Sequence, residues 1–199
     1  MVKLIAIDMD GTLLNNKKET EPEQKKALKD AIEKGIHVVL CTGRPLFGTL
    51  PLYRELDLGE ANEYIIVNNG CSTHETKGYS LIDYKELEPV EIQELFELGK
   101  NHNMDFTVFN EDKFFFISRN GETPNEHTLR DSTLVYTPIT EISLEEAASR
   151  KYTIFKSMYI GNSEILDNFE KLLTEDVRKK YNFTRSQENI LEAMTSEAD

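Results

Sequence analysis

The chain has 199 residues, a formal charge of −13, 39% hydrophobic and 30% charged residues, which suits one large globular domain or two small ones. The acidic balance argues against nucleic acid or an anionic membrane surface as a partner. No apolar run approaches the roughly 20 residues of a membrane span, and the first residues do not form a secretory signal. The two cysteines, Cys41 and Cys71, are predicted to be buried thiols, which suits a reducing cytoplasm.

The first 80 or so residues alternate predicted strands and helices. We predict strands over 2–8, 36–41 and 64–67, and helices over about 21–34 and 46–56. Each strand is a continuous apolar run, which is typical of a parallel sheet buried on both faces. The first helix carries a capping-box pattern at Thr20 and Glu23, and Gly35 ends it. The βαβαβ order predicts a doubly wound α/β domain over residues 1–81.

The pattern changes after about residue 79. The predicted elements are a helix over 89–102, hairpin strands over 104–109 and 113–118, a strand over 153–160, a helix over 163–174, and hairpin strands over 181–186 and 189–194. These strands alternate better between apolar and polar residues and are joined as hairpins. We therefore expect a second domain of α+β type over about 82–188, with a mostly antiparallel sheet and helices on one face.

Two carboxylates, Asp8 and Asp10, follow the first strand in the segment "DMDGTLL". Residues i and i+2 of a strand point to the same side, about 6.6 Å apart. Both side chains should therefore lie at the carboxyl-terminal edge of the parallel sheet, where open α/β folds bind ligands. Repulsion and desolvation make such a pair unfavourable for folding alone, so we expect a chemical use for it.

Further polar groups follow the other two strands of the first domain. Thr42 and Gly43 end the second strand, and Asn69 and Gly70 end the third. Because the carboxyl ends of parallel strands lie at one edge, we expect three strand ends to converge on one crevice. This crevice would hold carboxylates, a hydroxyl, an amide and backbone N–H donors.

This set of groups suits phosphoryl transfer. One carboxylate attacks phosphorus, a second exchanges a proton with the leaving group and with water, and hydroxyl and N–H groups hold the phosphoryl oxygens. A divalent cation is needed because a carboxylate does not approach a phosphate dianion unaided, and hard oxygen ligands favour Mg²⁺. Asp-x-Asp alone is commonly a turn or a calcium loop. The prediction depends on the fuller Asp-x-Asp-Gly-Thr, placed directly after an apolar strand.

With these motifs the sequence resembles the haloacid dehalogenase superfamily of phosphatases. "DMDGTLL" resembles the first motif of the family, with Asp8 as nucleophile and Asp10 as acid and base. "LCTGRP" resembles the second motif, with Thr42 as the phosphate-binding hydroxyl. "VNNG" and the inserted domain are similar to the Cof-type subfamily IIB, in which an α+β cap domain is inserted into a Rossmann-like core.

The resemblance implies a Mg²⁺-dependent phosphatase that acts through an aspartyl-phosphate on sugar phosphates or similar small metabolites. Asp8 would bind the metal through its side chain and Asp10 through its backbone carbonyl. The residues implied in binding phosphate or substrate are Thr42, Gly43, Arg44, Asn69 and Gly70.

The end of the chain departs from the family pattern. A lysine and an acidic metal-binding turn are expected after the cap, but the sequence ends "EAMTSEAD". We therefore expect 189–199 to return to an incomplete Rossmann-like core, and the activity of these residues to be weak or absent. The first strand would be a bare apolar sheet edge, covered either by a homodimer or by a C-terminal part outside this sequence.

Two other functions are compatible with the same residues. The first is a catalytically silent protein that binds phosphate or a partner. The second is a receiver-type phosphoacceptor, which also uses an Asp cluster, a Thr and Mg²⁺. The Asp-x-Asp spacing and the large second domain disfavour the receiver. Turnover of a phosphate ester with and without Mg²⁺ separates the silent protein from the phosphatase.

Overall fold

A computed structural model describes residues 2–59, 63–134 and 137–198 of the chain. The fold consists of two compact units, Met1–Tyr84 and Lys85–Asp199. The boundary lies a few residues beyond the predicted one at 81, because a second hairpin strand belongs to the first unit. No helix within the described ranges has both the length and the apolar character that crossing a bilayer requires.

In its described residues, the first unit is a five-stranded sheet with two α-helices. Its elements are β1 Leu4–Asp8, α1 Pro22–Glu33, β2 His37–Cys41, α2 Leu46–Leu56, β3 Tyr64–Val67, β4 Ser72–Glu75 and β5 Leu81–Tyr84. The sheet order is β1-β2-β3-β4-β5, and β1, β2 and β3 are mutually parallel, which confirms the predicted α/β class. Strands β4 and β5 continue the sheet in antiparallel fashion and were not predicted.

Helix α1 begins one residue later than the predicted capping box. Glu21 is the N-cap residue, and its backbone N–H donates to the Gln24 side chain at 3.0 Å. The reciprocal contact from the Glu21 side chain to the third helical N–H completes the box. Pro22 occupies the first turn and Gly35, with φ 74°, follows the end of the helix as predicted.

The core of the first unit lies between the sheet and its helices. Its fully or nearly fully buried members include Leu28, Val38, Leu40, Leu52, Leu56, Ile65 and Val67. Strand β1 does not share this double burial, because Leu4, Ala6 and Asp8 are exposed. It lies at one edge of the sheet and, among the described residues, pairs only with β2. The prediction that all three strands are buried on both faces is therefore wrong for β1.

The second unit is a six-stranded sheet with five helices in the described ranges. Its elements are α3 Pro89–Gly99, β6 Asp105–Phe109, β7 Phe114–Ile117, α4 Glu126–Leu134, β8 Ile139–Ile142, α5 Leu144–Ala147, β9 Lys156–Ile160, α6 Ser163–Leu172, α7 Glu175–Lys180, β10 Tyr181–Gln187 and β11 Ile190–Thr195. The order is β10-β11-β9-β6-β7-β8, and only the β7–β8 pair among these is parallel. Both predicted hairpins are present.

One face of the second sheet packs against helices α3 and α6. Phe106 of β6 packs edge to face on Phe96 of α3, with 5.6 Å between the ring centres. Tyr159 of β9 packs on Phe169 of α6, with 4.7 Å between the ring centres. The Tyr159 hydroxyl is buried and donates to the backbone oxygen of Leu95 at 2.6 Å. These contacts place the core of the unit between one sheet face and two helices, as an α+β domain requires.

Residues 189–199 do not return to the first unit. Most of them form β11, which lies between β10 and β9 in the second sheet. Leu191 and Ala193 of this strand have no exposed surface. The return predicted for this segment is therefore corrected, because strand β11 completes the core of the second unit.

Candidate active site

The carboxyl-terminal ends of β1, β2 and β3 lie side by side in the first unit. Asp8 is opposite Cys41, and Cys41 is opposite Ile66, in two parallel registers. Backbone hydrogen bonds continue beyond the strands, since the Thr42 N–H donates to the Ile66 oxygen at 3.0 Å and the Asn69 N–H to the Thr42 oxygen at 3.2 Å. The segments that carry the predicted site residues therefore meet at one edge of the sheet.

The chain reverses immediately after Asp8. The Leu13 N–H donates back to the Asp8 backbone oxygen at 3.1 Å, and Gly11 adopts φ 82°, which favours glycine. Asp10 consequently lies in this turn. The predicted i and i+2 geometry would have required Asp10 to be part of the strand. Met9 between the two acids is fully buried, whereas Asp8 is exposed and Asp10 partly so, which leaves both acids on the side away from the core.

The side chain of Asp8 has few contacts. Its Oδ2 accepts a hydrogen bond from the Thr12 hydroxyl at 3.5 Å, the outer limit for such a bond. No other side-chain hydrogen bond to its carboxylate is seen in the part of the chain that the structure describes. On the neighbouring strand, burial raises the pKa of the Cys41 thiol, and the charge of Asp8 adds to this effect. Asp8 thus presents an exposed carboxylate at the end of the parallel strands.

Asp10 is held by two cations. Arg44 Nε donates to Oδ2 at 2.7 Å and Arg44 Nη2 to Oδ1 at 2.9 Å, and Lys18 Nζ donates to Oδ1 at 2.7 Å. The hydrogen bonds from Arg44 lower the pKa of Asp10 to about 2, partial burial opposes this shift, and Lys18 adds to it. The arrangement therefore stabilises the ionised carboxylate, which can accept a proton.

Arg44 has a different contact from the predicted one. Arg44 is predicted to bind phosphate or substrate, but in the structure its guanidinium fork is directed at Asp10. Its backbone also joins the loop, since the Arg44 N–H donates to Thr42 Oγ at 3.2 Å and its oxygen accepts the Asn68 N–H at 2.9 Å. The bonds to Asp10 use Nε and Nη2 of the guanidinium, and its contact with a phosphate stays a prediction.

Thr42 and Gly43 lie where the loop after β2 meets the loop after β3. Thr42 is buried, and because its oxygen accepts the Arg44 N–H, its own hydroxyl hydrogen can be donated elsewhere. Gly43 approaches Asn69 so closely that a Cβ atom on Gly43 would lie 2.7 Å from Asn69 Oδ1. Gly43 and Asn69, two of the predicted binding residues, are therefore adjacent in the structure.

The loop after β3 has an unusual backbone. Asn68, Asn69 and Gly70 have φ values of 53°, 59° and 90°, a conformation that Asn and Gly adopt more readily than other residues. Asn68 is fully buried, and its Nδ2 donates to Ser72 Oγ at 3.0 Å. Asn68 therefore supports the loop, while Asn69 and Gly70 lie at its partly exposed surface.

The donor set fits a hard divalent cation in part. Asp8 supplies an exposed carboxylate, the type of ligand that Mg²⁺ prefers. The carboxylate of Asp10 is engaged with Arg44 and Lys18, which leaves its backbone carbonyl as the implied donor. Among the described residues, no group of three His, Cys, Asp or Glu side chains is arranged to hold a metal ion.

Thr12 and Lys18 were not predicted as site residues. Thr12 is the last letter of the Asp-x-Asp-Gly-Thr pattern, so the motif itself was a signal for it. Lys18 precedes α1 and adopts φ 63° in the turn. A positive φ at a lysine is uncommon, and no sequence pattern indicated it.

Comparison with known proteins agrees with this fold and with the predicted family. The family model of haloacid dehalogenase-like hydrolases matches residues 5–199. The chain is 34% identical over 202 residues to the candidate phosphatase YxeH of Bacillus subtilis (strain 168), a match that covers 100% of this chain and 72% of that protein. It is also 38% identical over 105 residues to 5-amino-6-(5-phospho-D-ribitylamino)uracil phosphatase YcsE of the same organism, covering 53% of this chain and 41% of that protein.

Solved structures show the same fold. A haloacid dehalogenase-like hydrolase from Bacteroides thetaiotaomicron superposes with a TM-score of 0.84 at 24% identity, covering 100% of this chain and 73% of that one. The subclass IIB sugar phosphatase BT4131 superposes with a TM-score of 0.76 at 17% identity, covering 99% of this chain and 71% of that one. The chain therefore belongs to the haloacid dehalogenase-like hydrolases and is a phosphatase of that superfamily.

Proposed function

We propose that this phosphatase hydrolyses small phosphate monoesters, such as sugar phosphates, by phosphoryl transfer to Asp8 with the help of Mg²⁺. One observation carries the proposal: at the end of β1, Asp8 is exposed and weakly bonded, while Asp10 is fixed by Arg44 and Lys18. The Asp8 carboxylate, which accepts only a long hydrogen bond from Thr12 among the described residues, keeps an oxygen available to attack phosphorus. The neighbouring acid is placed for proton transfer.

In the first step, a carboxylate oxygen of Asp8 attacks phosphorus and the bond to the leaving-group oxygen breaks. A proton passes from Asp10 to that oxygen, so Asp10 must carry a proton at this stage, which requires its contacts with the cations to weaken in the complex. In the second step, Asp10 takes a proton from water as the water oxygen attacks phosphorus. The bond between Asp8 and phosphorus then breaks and phosphate leaves.

Groups of the two neighbouring loops would hold the phosphoryl oxygens. Thr42, whose oxygen accepts the Arg44 N–H, can donate its hydroxyl hydrogen to a phosphoryl oxygen in the loop that leads to α2. Asn69 lies against Gly43 and would donate its side-chain amide. Mg²⁺, held by the Asp8 carboxylate and the Asp10 backbone carbonyl, would offset the negative charge shared by the carboxylate and the phosphate.

The substrate class is supported by relatives and by the organisation of the chain. YcsE is named for a phosphorylated ribitylaminouracil, and BT4131 for sugar phosphates. The first unit carries the proposed chemistry, and the second is a separate α+β unit of the kind that closes over small substrates. Cys41 and Cys71 are not joined in a disulfide, which supports a reducing compartment, and we propose the cytoplasm as the location.

The test is phosphate release from a panel of hexose and pentose phosphates and p-nitrophenyl phosphate, with Mg²⁺ and with EDTA. Asp8→Asn should abolish turnover, a loss of at least several orders of magnitude, because phosphate monoesters hydrolyse extremely slowly alone. Asp10→Asn should lower kcat by about 10²–10⁴. Asp83→Asn, an exposed change in the same unit, is the matched control. Substantial turnover by Asp8→Asn would refute the nucleophile.

A catalytically silent phosphate-binding protein is the second candidate. It is favoured by the engagement of Asp10 with both Arg44 and Lys18 and by the incomplete metal donor set of the described residues. This alternative predicts that beryllofluoride or vanadate binds to the wild-type chain while no ester is turned over in Mg²⁺. Turnover that Asp8→Asn removes would exclude it.

The exposed edge strand supports a further proposal, a homodimer. Leu4 of β1 is 52% exposed and Val2 before it is 62% exposed. An apolar edge of this kind can pair with the same edge of a second copy. Light scattering should then show a dimer for this chain, and Leu4→Lys should convert it to a monomer. A wild-type monomer at the same concentration would exclude the dimer.

A further inference from the structure

A cavity of about 350 Å³ lies in the second unit, away from the residues that carry the proposed chemistry. It forms where β6 begins, where β7 and β9 end, and where α4 begins. Strands β6, β7 and β9 are antiparallel neighbours, so these termini share one end of the sheet. The volume lies in the range of pockets that take small molecules, about 300–1,000 Å³.

Arg119 lines this cavity, and its guanidinium group is incompletely paired. Nη1 donates to the His102 backbone oxygen at 2.9 Å, and the group lies 5.6 Å from the centre of the Phe96 ring. Nε and Nη2 are buried and meet no acceptor among the described residues. Buried N–H groups of a charged side chain are rarely left so, which calls for a partner that the chain itself does not supply.

The carboxylate of Asp105 lines the same cavity but does not accept a hydrogen bond from Nε or Nη2 of Arg119. Asp105 at the start of β6 accepts the Asn125 N–H at 2.7 Å, and burial raises the pKa of its carboxyl group. No ion pair joins Asp105 and Arg119 within the described residues, although both line the cavity. The two groups interact electrostatically, since the charge of Arg119 opposes the rise in the pKa of Asp105, but the cavity presents them without a direct ion pair between them.

The wall around Asp105 is fixed by hydrogen bonds. Asn125 Nδ2 donates to the Ile160 backbone oxygen at 2.9 Å, and Asn125 Oδ1 accepts the Thr128 N–H at 3.0 Å, which caps α4. One residue thus joins β6, β9 and α4 around the cavity. Such a frame holds its polar groups in place before a ligand arrives, which reduces the cost of binding.

The charges that face the cavity decide the class of ligand. Asp105, Glu122 and Glu126 are acidic, whereas Arg119 and His127 are the basic residues of the lining. This balance disfavours a phosphate dianion, since three carboxylates would repel it. The Nε and Nη2 edge of an arginine matches the two oxygens of one carboxylate. A small rotation of Arg119 would present this edge to a ligand that carries a carboxylate and, near Asp105, an ammonium group.

We propose that this cavity binds a free α-amino acid, with its carboxylate on Arg119 and its ammonium group on Asp105. The lining also has an apolar part, which favours an apolar side chain beside the polar residues Asn103, Thr123 and Asn162; its members are Met104, Phe106, Phe116, Ile117 and Ile165. The site lies within the second unit and does not depend on the proposed phosphatase mechanism. It gives this unit a ligand of its own.

Calorimetric titration of the full chain with L-leucine, L-methionine and L-phenylalanine tests the site. At least one should bind, and its amide and its deaminated acid should each bind about tenfold more weakly or worse, since each lacks one of the two charges. For L-leucine these controls are leucinamide and 4-methylpentanoate. Absence of binding by all three amino acids, or equal binding of the single-charge controls, would overturn the proposal.

Variants then locate the site. Arg119→Lys keeps the charge but loses the fork, and Asp105→Asn keeps the shape but loses the charge. Each should weaken binding about tenfold or more. Arg130→Lys, an exposed change on α4, should leave the affinity unchanged. Thermal melting checks that each variant folds. If a variant does not fold, the single-charge ligands still test the site in the wild-type chain. Competition of inorganic phosphate with the amino acid, or unchanged affinity in both folded variants, would contradict the assignment.

Discussion

The guanidinium group of Arg44 donates to both carboxylate oxygens of Asp10, at 2.7 and 2.9 Å, across 34 positions of sequence. This two-point contact fixes the orientation of the carboxylate as well as its charge. It also ties the turn after β1 to the loop after β2. The proposed acid and base is therefore held by a residue from a different loop, and this relationship can be tested directly.

Replacing Arg44 with lysine should remove the orientation and keep the charge. We expect kcat to fall by about tenfold or more, because one flexible ammonium group cannot reproduce two parallel hydrogen bonds. Steady-state kinetics with p-nitrophenyl phosphate measure the effect. Arg54→Lys, an exposed change at the end of α2, is the matched control. A variant with wild-type kcat would show that Asp10 does not need this contact.

The same contact makes stability depend on pH. The pKa of Asp10 is lowered from 3.8 to about 2, so its stabilising contribution is present above about pH 4 and is lost as the pH falls towards 2. The shift itself corresponds to about 2 kcal/mol, and because 35% of the side chain is exposed, solvent screening reduces this to about 1 kcal/mol. Urea unfolding of the wild type and Asp10→Asn should therefore differ at pH 6 and converge by pH 2. A constant difference across this range would contradict the assignment.

A methyl group on Gly43 should disturb the proposed phosphate loop. It would lie 2.7 Å from Asn69 Oδ1, closer than real Cβ contacts allow, so Asn69 must move. We expect Gly43→Ala to raise KM for the phosphate ester and to lower the free energy of unfolding by about 1–3 kcal/mol. Asn69→Ser shortens the obstructing side chain. In a double-mutant cycle, the double variant should lose less stability than the sum of the two single losses. Additive losses would mean that the two residues do not clash.

Much of the first unit could be predicted because its apolar runs are short and clearly bounded. The limits of α2 and β3 agree with the prediction, since Pro45 precedes the helix and Asn68 follows the strand. The apolar run of β1 predicted burial on both faces, whereas the exposed sheet edge at β1 was expected only from the resemblance to the family. An apolar run alone does not show whether a strand lies at the edge or the centre of a sheet, because pairing partners are distant in sequence.

The second unit shows where local pattern fails. Helix α4 and strand β8 were not predicted, because α4 is mostly polar and β8 forms only by parallel pairing with β7. The capping role of Asn125 and the contact of Lys18 with Asp10 depend on side-chain approach between segments. Motifs located the residues of the candidate site, but which side chain holds which could be known only from the structure.

The ion pair between Lys156 of β9 and Glu192 of β11 offers a stability test in the second unit. Lys156 Nζ donates to Glu192 Oε1 at 2.9 Å, with side-chain exposures of 2% and 7%. Lys156 also lies 5.4 Å from the centre of the Phe109 ring. Glu192→Gln would take a carboxylate away from a buried ammonium group, so it should lower the free energy of unfolding by about 3–5 kcal/mol.

Removing both charges should cost much less. The double variant Lys156→Met, Glu192→Gln replaces the ammonium group with an apolar chain of similar length and leaves no buried charge. Urea unfolding followed by circular dichroism should place this variant between Glu192→Gln and the wild type. Lys179→Met, an exposed lysine in α7, is the matched control and should change stability by less than about 0.5 kcal/mol. If Glu192→Gln were as stable as the wild type, the pair would not be a desolvated ion pair. If the double variant were the least stable of the set, the energy would lie in the attraction between the charges and not in the cost of leaving one unpaired.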